Sequence, residues 1–249
     1  MIKFSPYPLG WLKNNRFYRG GARLFDFRFF EIYRNSEYLL RLAEGIWLSI
    51  SLTVTAALIG FFCAAMLALA RNARIPVLAQ ISAAYVEFIR NTPLIVQLFF
   101  VAFGLPLLLG YQWPFWAHAL LGLTLNFSAY FAEILRSGLQ SIPKGQIEAA
   151  IALGLKPHVR FIKVIFPQVI ASVYPSLTSQ FIFLFLTTGV ISEIGVEDLT
   201  HAGVFIDSRT FRSFEIFITL TLLYVAIALT FKTCMHAIDR YFFSWKVRQ

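Results

Sequence analysis

Three polar side chains of types that can bind an ammonium group recur at helical spacing within a mostly apolar stretch. Asn126, Tyr130 and Glu133 stand at positions i, i+4 and i+7, which puts them on one face of an α-helix. An amide, a phenol and a carboxylate are expensive to expose to lipid, so this stripe should face the interior of a helix bundle. There it can accept charge-assisted hydrogen bonds from an α-amino group, or it can form polar contacts between helices.

Other ionisable residues within apolar stretches are also candidates for function, because burying a charge in a membrane is costly. Glu87 and Arg90 are three residues apart on one helical face, so we expect an ion pair between them at a helix end. Lys232 and His236 stand toward the end of the last apolar stretch. Both side chains are long enough to bring their polar ends toward the membrane interface.

The polar, basic stretch 141–167 (SIPKGQIEAAIALGLKPHVRFIKVIFP) shows the start and stop signals of a short helix. Pro143 suits the first turn of a helix, and the residues from there to Leu153 are good helix formers. Gly154 can end this helix in the left-handed conformation. One face of the helix would carry the apolar residues Ile147, Ala150, Ile151 and Leu153.

A second short helix is predicted directly after this glycine elbow. Pro157 can open it, and it would run through Phe166 before Pro167 begins the next long helix. A connector of this kind either lies along a membrane surface or is gripped by a soluble partner. Periodicity alone favours neither interpretation.

The composition indicates that the solvent around these elements is a lipid bilayer. The chain has 249 residues, of which 58% are hydrophobic and 14% are charged, whereas a soluble domain has about a quarter charged residues. The apolar residues form long runs, and about 20 such residues cross the hydrocarbon core. We therefore predict an all-α polytopic membrane protein with about five transmembrane helices, at residues 46–70, 77–109, 115–135, 168–192 and 214–238.

The distribution of Lys and Arg predicts the orientation of these spans. Basic residues collect in 71–76, in 136–166 and in the tail 241–249, while the loop 110–114 has none. Since cytoplasmic loops are enriched in Lys and Arg, five spans place the N-terminus outside and the tail in the cytoplasm. The polar, aromatic segment 1–45 contradicts this order, because it carries eight Lys and Arg residues; it is expected to lie at the membrane interface.

Several classes of function are disfavoured by the residues present. The net charge of +9 is explained by basic loops rather than by nucleic-acid binding. Cys63 and Cys234 lie in apolar runs and match no metal-binding spacing. No H-E-x-x-H motif or Ser–His arrangement lies within the spans, which argues against an intramembrane enzyme. No G-x-x-x-x-G-K-[ST] loop is present, so this chain is not expected to bind ATP.

Three ordered motifs resemble the permease subunits of bacterial ABC importers. Glu148-Ala149-Ala150, Gly154 and Pro167 are similar to the EAA loop of these permeases, with Phe166 where the family pattern has Leu. The stretches EFIRNTPLIVQLFFVAFGLP (87–106) and LNFSAYFAEILRSGLQSIPKGQ (125–146) resemble the polar amino-acid uptake family in particular. The resemblance covers about residues 44–240, and the permease domain is expected at 46–240.

The resemblance implies a type I importer in the bacterial cytoplasmic (inner) membrane. Two such permeases, identical or homologous, would pair within the lipid, and an extracytoplasmic solute-binding protein would deliver an amino-acid solute. Two separate ATPase subunits would bind ATP and Mg, so no cofactor is expected in this chain. The coupling loop (about 137–167) would contact the ATPase through Glu148, Ala149, Ala150, Gly154, Lys156 and Pro167.

The resemblance also places the polar stripe on the path of the solute. The expected pathway residues are Asn126, Tyr130, Glu133, Gln97 and Thr187. At 186–190 this chain reads LTTGV, where the amino-acid permeases usually have Lys-Asp-Thr-Ser-Leu. Thr187 therefore lacks a carboxylate for a cationic solute, which favours neutral solutes. The alternative function is an ion- or proton-coupled carrier, or a channel, that works without an ATPase.

Overall fold

The computed structural model describes residues 28–72 and 76–243, which form nine helices and contain no β-strand. Most of the predicted interfacial segment 1–45 and of the tail 241–249 lies outside the described residues. The helices are α1 (Phe29–Tyr33), α2 (Ser36–Asn72), α3 (Pro76–Arg90), α4 (Leu94–Leu109), α5 (Phe115–Gln140), α6 (Lys144–Ala152), α7 (Pro157–Ile194), α8 (Leu199–Thr210) and α9 (Ser213–Phe242). The prediction of an all-α architecture is confirmed.

Helix α5 is the centre of the bundle. Its side chains Leu123, Phe127 and Ala132 are fully buried and belong to the main apolar core. The long helix α2 packs along α5 through small buried residues, among them Ala56 and Ala64. Small residues allow two helix backbones to approach closely, which is how helices associate where lipid removes the hydrophobic driving force.

Three of the described helices are long and apolar enough to cross a membrane, namely α2, α7 and α9. Helices α3 and α4 supply a fourth crossing if the bent pair is counted as one span. The predicted third span corresponds to α5, which does not reach that degree of apolarity because it carries polar residues such as His118, Asn126 and Glu133. The chain is thus a polytopic membrane protein, with its most polar long helix at the centre.

The predicted second span, 77–109, is broken into two helices. The chain bends by 106° between α3 and α4. Pro93 stands at the break with an extended backbone (φ −62°, ψ 137°). Because proline lacks an N–H group and forces the residue before it out of the helical region, the hydrogen-bond ladder stops here.

The prediction of a separate short helix before Pro167 is also corrected. Pro157 does open a helix, but that helix continues through a π-helical turn at Phe161–Ile165 and on to Ile194. A π-turn inserts an extra residue into the helix. This turn ends two residues before Pro167, which has no backbone N–H to donate. Helix α7 is therefore continuous from the connector into the span.

Two further boundaries differ from the sequence prediction. Helix α2 starts at Ser36, ten residues before the predicted start of the first span at position 46. Its first turns are charged, and Arg41 pairs with Glu37 at 3.3 Å. The region 193–213, which joins the predicted fourth and fifth spans, contains the helix α8, which begins after the buried N-cap residue Asp198.

Candidate functional site

A polar cleft opens where α3 and α4 meet at the proline break. It has a volume of about 340 Å³ and lies between this break, α5 and the end of the α-helical part of α7. Its polar lining residues are Arg90, Asn91, Thr92, Asn126, Tyr130 and Thr187. We call it the hinge cleft. Three of the five predicted pathway residues line it, namely Asn126, Tyr130 and Thr187.

Gln97 connects the two sides of the hinge cleft. Its side-chain nitrogen donates to the carbonyl of Ile89 at 2.8 Å and to the hydroxyl of Thr92 at 2.6 Å, both in the last part of α3 and the break. Its Oε1 accepts from the Nδ2 of Asn126 on α5 at 2.8 Å. One glutamine therefore fixes the bend of the chain and the orientation of a buried amide in the cleft.

Arg90 is the one charged residue among those that line the hinge cleft. Its guanidinium carbon lies 5.6 Å from the centre of the Tyr130 ring, a cation–π arrangement. The expected ion pair with Glu87 is wrong, because among the described residues Glu87 makes no ion pair. The positive charge of Arg90 is therefore available to an anionic group in the cleft.

Glu133 lies apart from the hinge cleft, although it shares a helix face with Asn126 and Tyr130. Its Oε2 accepts from the Nη1 of Arg71 on α2 at 2.8 Å, and its carboxylate also pairs with Arg136. It lines a second pocket of about 500 Å³ together with Arg136 and the serines 137, 141, 172 and 176. The predicted stripe is thus divided between two pockets, and the structure gives Glu133 two arginine partners.

Thr187 contributes its hydroxyl to the hinge cleft from α7. The hydroxyl donates to the carbonyl of Leu184 at 2.8 Å, so its lone pairs remain as acceptors. Arg71 was missed as a site residue from the sequence, and Arg90 was expected to pair with Glu87 rather than to line a cleft. The Thr92-Pro93 dipeptide that follows Arg90 was the signal for a break near that residue.

Helix α6 and the following elbow form an exposed surface at one end of the bundle. The helix and the left-handed glycine are found where the sequence predicts them, and Gly154 has φ +70° with no atom within 4 Å of an added Cβ. Ala150 is 3% exposed and anchors the helix. The other predicted coupling residues Glu148, Ala149, Gly154 and Lys156 are exposed.

Two apolar side chains of α6 and its C-terminal turn also point away from the bundle. Ile151 is 54% exposed and Leu153 is 78% exposed. They border the exposed Glu148, Ala149 and Lys156. Pro167, by contrast, lies in the first turns of the α-helical part of α7 after the π-turn, removed from this surface in the chain.

Asp198 lies between the predicted fourth and fifth spans, and the structure buries it completely. Its Oδ1 accepts from the backbone N–H of His201 at 2.9 Å, which caps α8, and its Oδ2 lies 3.5 Å from the hydroxyl of Tyr224. Burial raises the pKa of the Asp198 carboxyl to about 7, and the hydrogen bond from His201 opposes that rise. Gly45 of α2 packs so closely here that an added Cβ would lie 2.8 Å from the Asp198 carbonyl oxygen.

A bundle of long apolar helices with a polar cleft at a broken helix is the architecture of a membrane transport protein. Residues 46–244 match the family described as "Binding-protein-dependent transport system inner membrane component", and the chain belongs to this family. The resemblance seen in the sequence is thereby confirmed.

Curated relatives match most of the chain. The chain is 35% identical over 182 residues to the L-cystine transport system permease protein TcyL of Bacillus subtilis (strain 168), covering 70% of this chain and 76% of that one. It is 33% identical over 199 residues to the arginine transport system permease protein ArtQ of the same organism, covering 79% of this chain and 90% of that one.

Solved structures share the fold. A chain from the crystal structure of an amino acid ABC transporter with histidines superimposes with a TM-score of 0.79 at 32% identity, covering 87% of this chain and 100% of that one. A chain of the MetNI methionine ABC transporter in an inward-facing conformation gives a TM-score of 0.70 at 21% identity, which supports the fold alone.

Proposed function

We propose that this chain is the permease subunit of an ATP-driven importer for a polar amino acid, and that the solute passes through the hinge cleft. The observation that carries the proposal is the composition of that cleft: one guanidinium, two amides, a phenol and two threonine hydroxyls within an apolar bundle. Such groups are costly in a membrane unless a polar solute or water reaches them.

The chemistry of the hinge cleft suits a zwitterionic solute with a neutral side chain. Arg90 can bind an α-carboxylate, which a guanidinium recognises through paired hydrogen bonds. The Oδ1 of Asn126, the hydroxyl of Tyr130 and the hydroxyl of Thr187 can accept from the α-ammonium group. No acidic side chain lines the cleft, so a second positive charge on the solute would have no partner there.

Glu133 would act further along the same path. We place the second pocket, with Glu133, Arg136 and its four serines, between the hinge cleft and the cytoplasm, because it lies near the end of α5 that leads to α6. Four serine side chains facing lipid would be unfavourable. A water-filled passage or a second permease explains them better.

The exposed surface of α6 is the proposed contact with the ATPase. It presents a carboxylate, small side chains and two exposed apolar residues around Gly154, as a docking helix requires. ATP and Mg would be bound by two ATPase subunits, and the docked helices would drive alternating access in a pair of permeases. In this arrangement there are five spans with the N-terminus outside, and a binding protein delivers the solute from that side.

The first test is to purify the tagged chain from its native membrane and to identify the proteins that accompany it. We expect an ATPase with a phosphate-binding loop, whose association is lost when Glu148→Lys and Gly154→Val are combined. Gln146→Ala is the matched control, because Gln146 is exposed on the same helix and is not among the predicted coupling residues. Recovery of the chain without an ATPase, together with uptake that survives ATP depletion while the proton gradient is kept, would contradict the importer and favour a carrier.

A further inference from the structure

A small pocket with charges of both signs lies between α7 and the C-terminal part of α9. It has a volume of about 270 Å³ and is lined by Tyr174, Thr178, Lys232, His236 and Asp239, with Pro175 and Met235. Within the described part of the chain, Lys232 and Asp239 form no ion pair. The Oδ1 of Asp239 is buried without a hydrogen-bond partner there.

An apolar groove of about 560 Å³ adjoins this pocket and shares Lys232 with it. The groove follows α9 from Phe217 to Lys232, and its other wall includes Ile182 and Leu186 of α7. Fifteen residues of helix correspond to about 22 Å, which is more than half of the ~30 Å hydrocarbon core. The groove can therefore accommodate an acyl chain that lies parallel to the helices.

The charges of the pocket need partners that the described residues 28–72 and 76–243 do not supply. A lysine within a membrane span is costly unless its ammonium reaches the membrane interface or an anion such as a lipid phosphate. A buried carboxylate oxygen without a donor is unfavourable for the same reason. Lys232 and Asp239 are seven residues apart on one face of α9, about 10 Å along the helix axis. A ligand that satisfies both must carry an anion and a hydrogen-bonding cation close together.

We propose that the pocket and the groove together form a binding site for a phosphatidylethanolamine molecule. The phosphate binds Lys232, the primary ammonium donates to Asp239, and one acyl chain occupies the groove between α7 and α9. A choline headgroup has no N–H to donate to Asp239, and an anionic glycerol headgroup brings no cation to it. The site therefore selects the headgroup through the carboxylate, while Lys232 binds any phospholipid.

The proposed site is separate from the hinge cleft and does not depend on which solute is carried. The two sites use different faces of α7, because Ile182 and Leu186 line the groove whereas Phe183 and Thr187 line the hinge cleft. A bound lipid would cover exposed apolar residues of α9, among them Leu229, which is 55% exposed. The competing occupant of this face is a second copy of the permease.

The experiment is native mass spectrometry of the purified protein, with its accompanying subunits, after reconstitution in nanodiscs of phosphatidylethanolamine, phosphatidylcholine and phosphatidylglycerol in equal amounts. We expect preferential retention of phosphatidylethanolamine. Asp239→Asn should reduce its retention relative to phosphatidylcholine by about tenfold, the effect of losing one charge-assisted hydrogen bond. Lys232→Met should lower the retention of all three lipids.

Arg240→Gln is the matched control, since Arg240 is exposed on the same helix and lines neither the pocket nor the groove. It should leave both lipid retention and headgroup preference unchanged. Melting temperatures in phosphatidylcholine alone check that each variant is folded, and Asp239→Glu, which keeps the carboxylate, should restore the preference. Equal retention of the three lipids by the unmodified protein would overturn the proposal. Cross-linking between two permeases through a photoreactive residue at position 229 would overturn it as well.

Discussion

The side-chain amides of Gln97 and Asn126 are joined by a hydrogen bond of 2.8 Å that crosses from α4 to the central helix α5. Gln97 also holds the end of α3 through Ile89 and Thr92. Gln97 therefore links the three consecutive helices α3, α4 and α5. A change in the angle of the proline break must therefore either move Asn126 or break this hydrogen bond.

Replacing this glutamine should impair transport more than folding. Gln97→Leu leaves the Nδ2 of the buried Asn126 without its acceptor, at a cost of about 1–3 kcal/mol. It also removes the hydrogen bonds from Gln97 to Ile89 and Thr92 at the proline break. We expect the uptake rate to fall by about tenfold or more at unchanged expression, measured with radiolabelled amino acid in cells. Gln112→Leu, at an exposed loop position, is the control. Normal uptake by Gln97→Leu would exclude a role for this network in the path.

Arg90 is expected to determine the affinity for the solute. Arg90→Gln removes the one charge that lines the hinge cleft, so a bound carboxylate loses a charge-assisted pair. The KM for uptake should rise by about tenfold or more, and Arg90→Lys should recover only part of the loss, because lysine lacks the planar fork. Glu87→Gln is the neighbouring control. If the KM of this variant rises as much as that of Arg90→Gln, the substitutions disturb the end of α3 and Arg90 does not bind the solute.

Glu133 should act as a structural link between α2 and α5 as well as on the proposed path. Glu133→Gln leaves the arginines at 71 and 136 without their shared carboxylate. These side chains are 19–28% exposed, so solvent screens the pair, and we expect a loss of only about 1–2 kcal/mol in the free energy of unfolding. A double-mutant cycle with Arg71→Gln measures the coupling. A coupling energy near zero would show that the ion pair adds no stability.

The buried carboxyl of Asp198 should make stability depend on pH. Its pKa is raised from 3.8 to about 7, so the folded state holds the proton more tightly than the unfolded chain. The free energy of unfolding should therefore decrease as pH rises from about 4 to about 7, by at most about 4 kcal/mol at 1.36 kcal/mol for each pKa unit.

The measurement is the melting temperature of the detergent-purified protein between pH 4 and pH 8. Asp198→Asn resembles the protonated side chain and should flatten the slope over this range. Glu197→Gln, at the exposed neighbouring position, should keep the slope of the unmodified protein. A slope that is the same in Asp198→Asn would assign the pH dependence to other groups.

Local signals explain why some elements were predictable from the sequence. Helix α6 and its elbow were found because the proline, the glycine and the helix formers lie within about a dozen consecutive residues and each has its own conformational preference. The break before α4 was missed because the apolar stretches on either side of it, 77–86 and 94–109, were joined into one span across the polar Arg90-Asn91-Thr92 and Pro93. Helix α8 was missed because its acidic surroundings resemble a loop, although Asp198 is a common N-cap residue type.

The division of the polar stripe was not predictable from one helix alone. Asn126, Tyr130 and Glu133 share a face, but Glu133 stands about 10 Å along the axis from Asn126. What it meets there is Arg71, which comes from the end of α2 and had been assigned to a loop. Periodicity gives the side of a helix on which a residue lies. The partner is set by the way distant helices pack.

The sharp turn at Pro93 places the start of α4 at the hinge cleft. The first N–H groups of a helix have no acceptor within that helix, and α4 begins at Leu94, which lines the cleft. These donors belong to the backbone and persist whatever side chains surround them. In the proposed importer, these donors would bind the carboxylate common to all amino acids, and positions such as Thr187 would be free to diverge. Under that proposal, a permease with this turn would change its cargo by point mutation and still bind the part that all amino acids share.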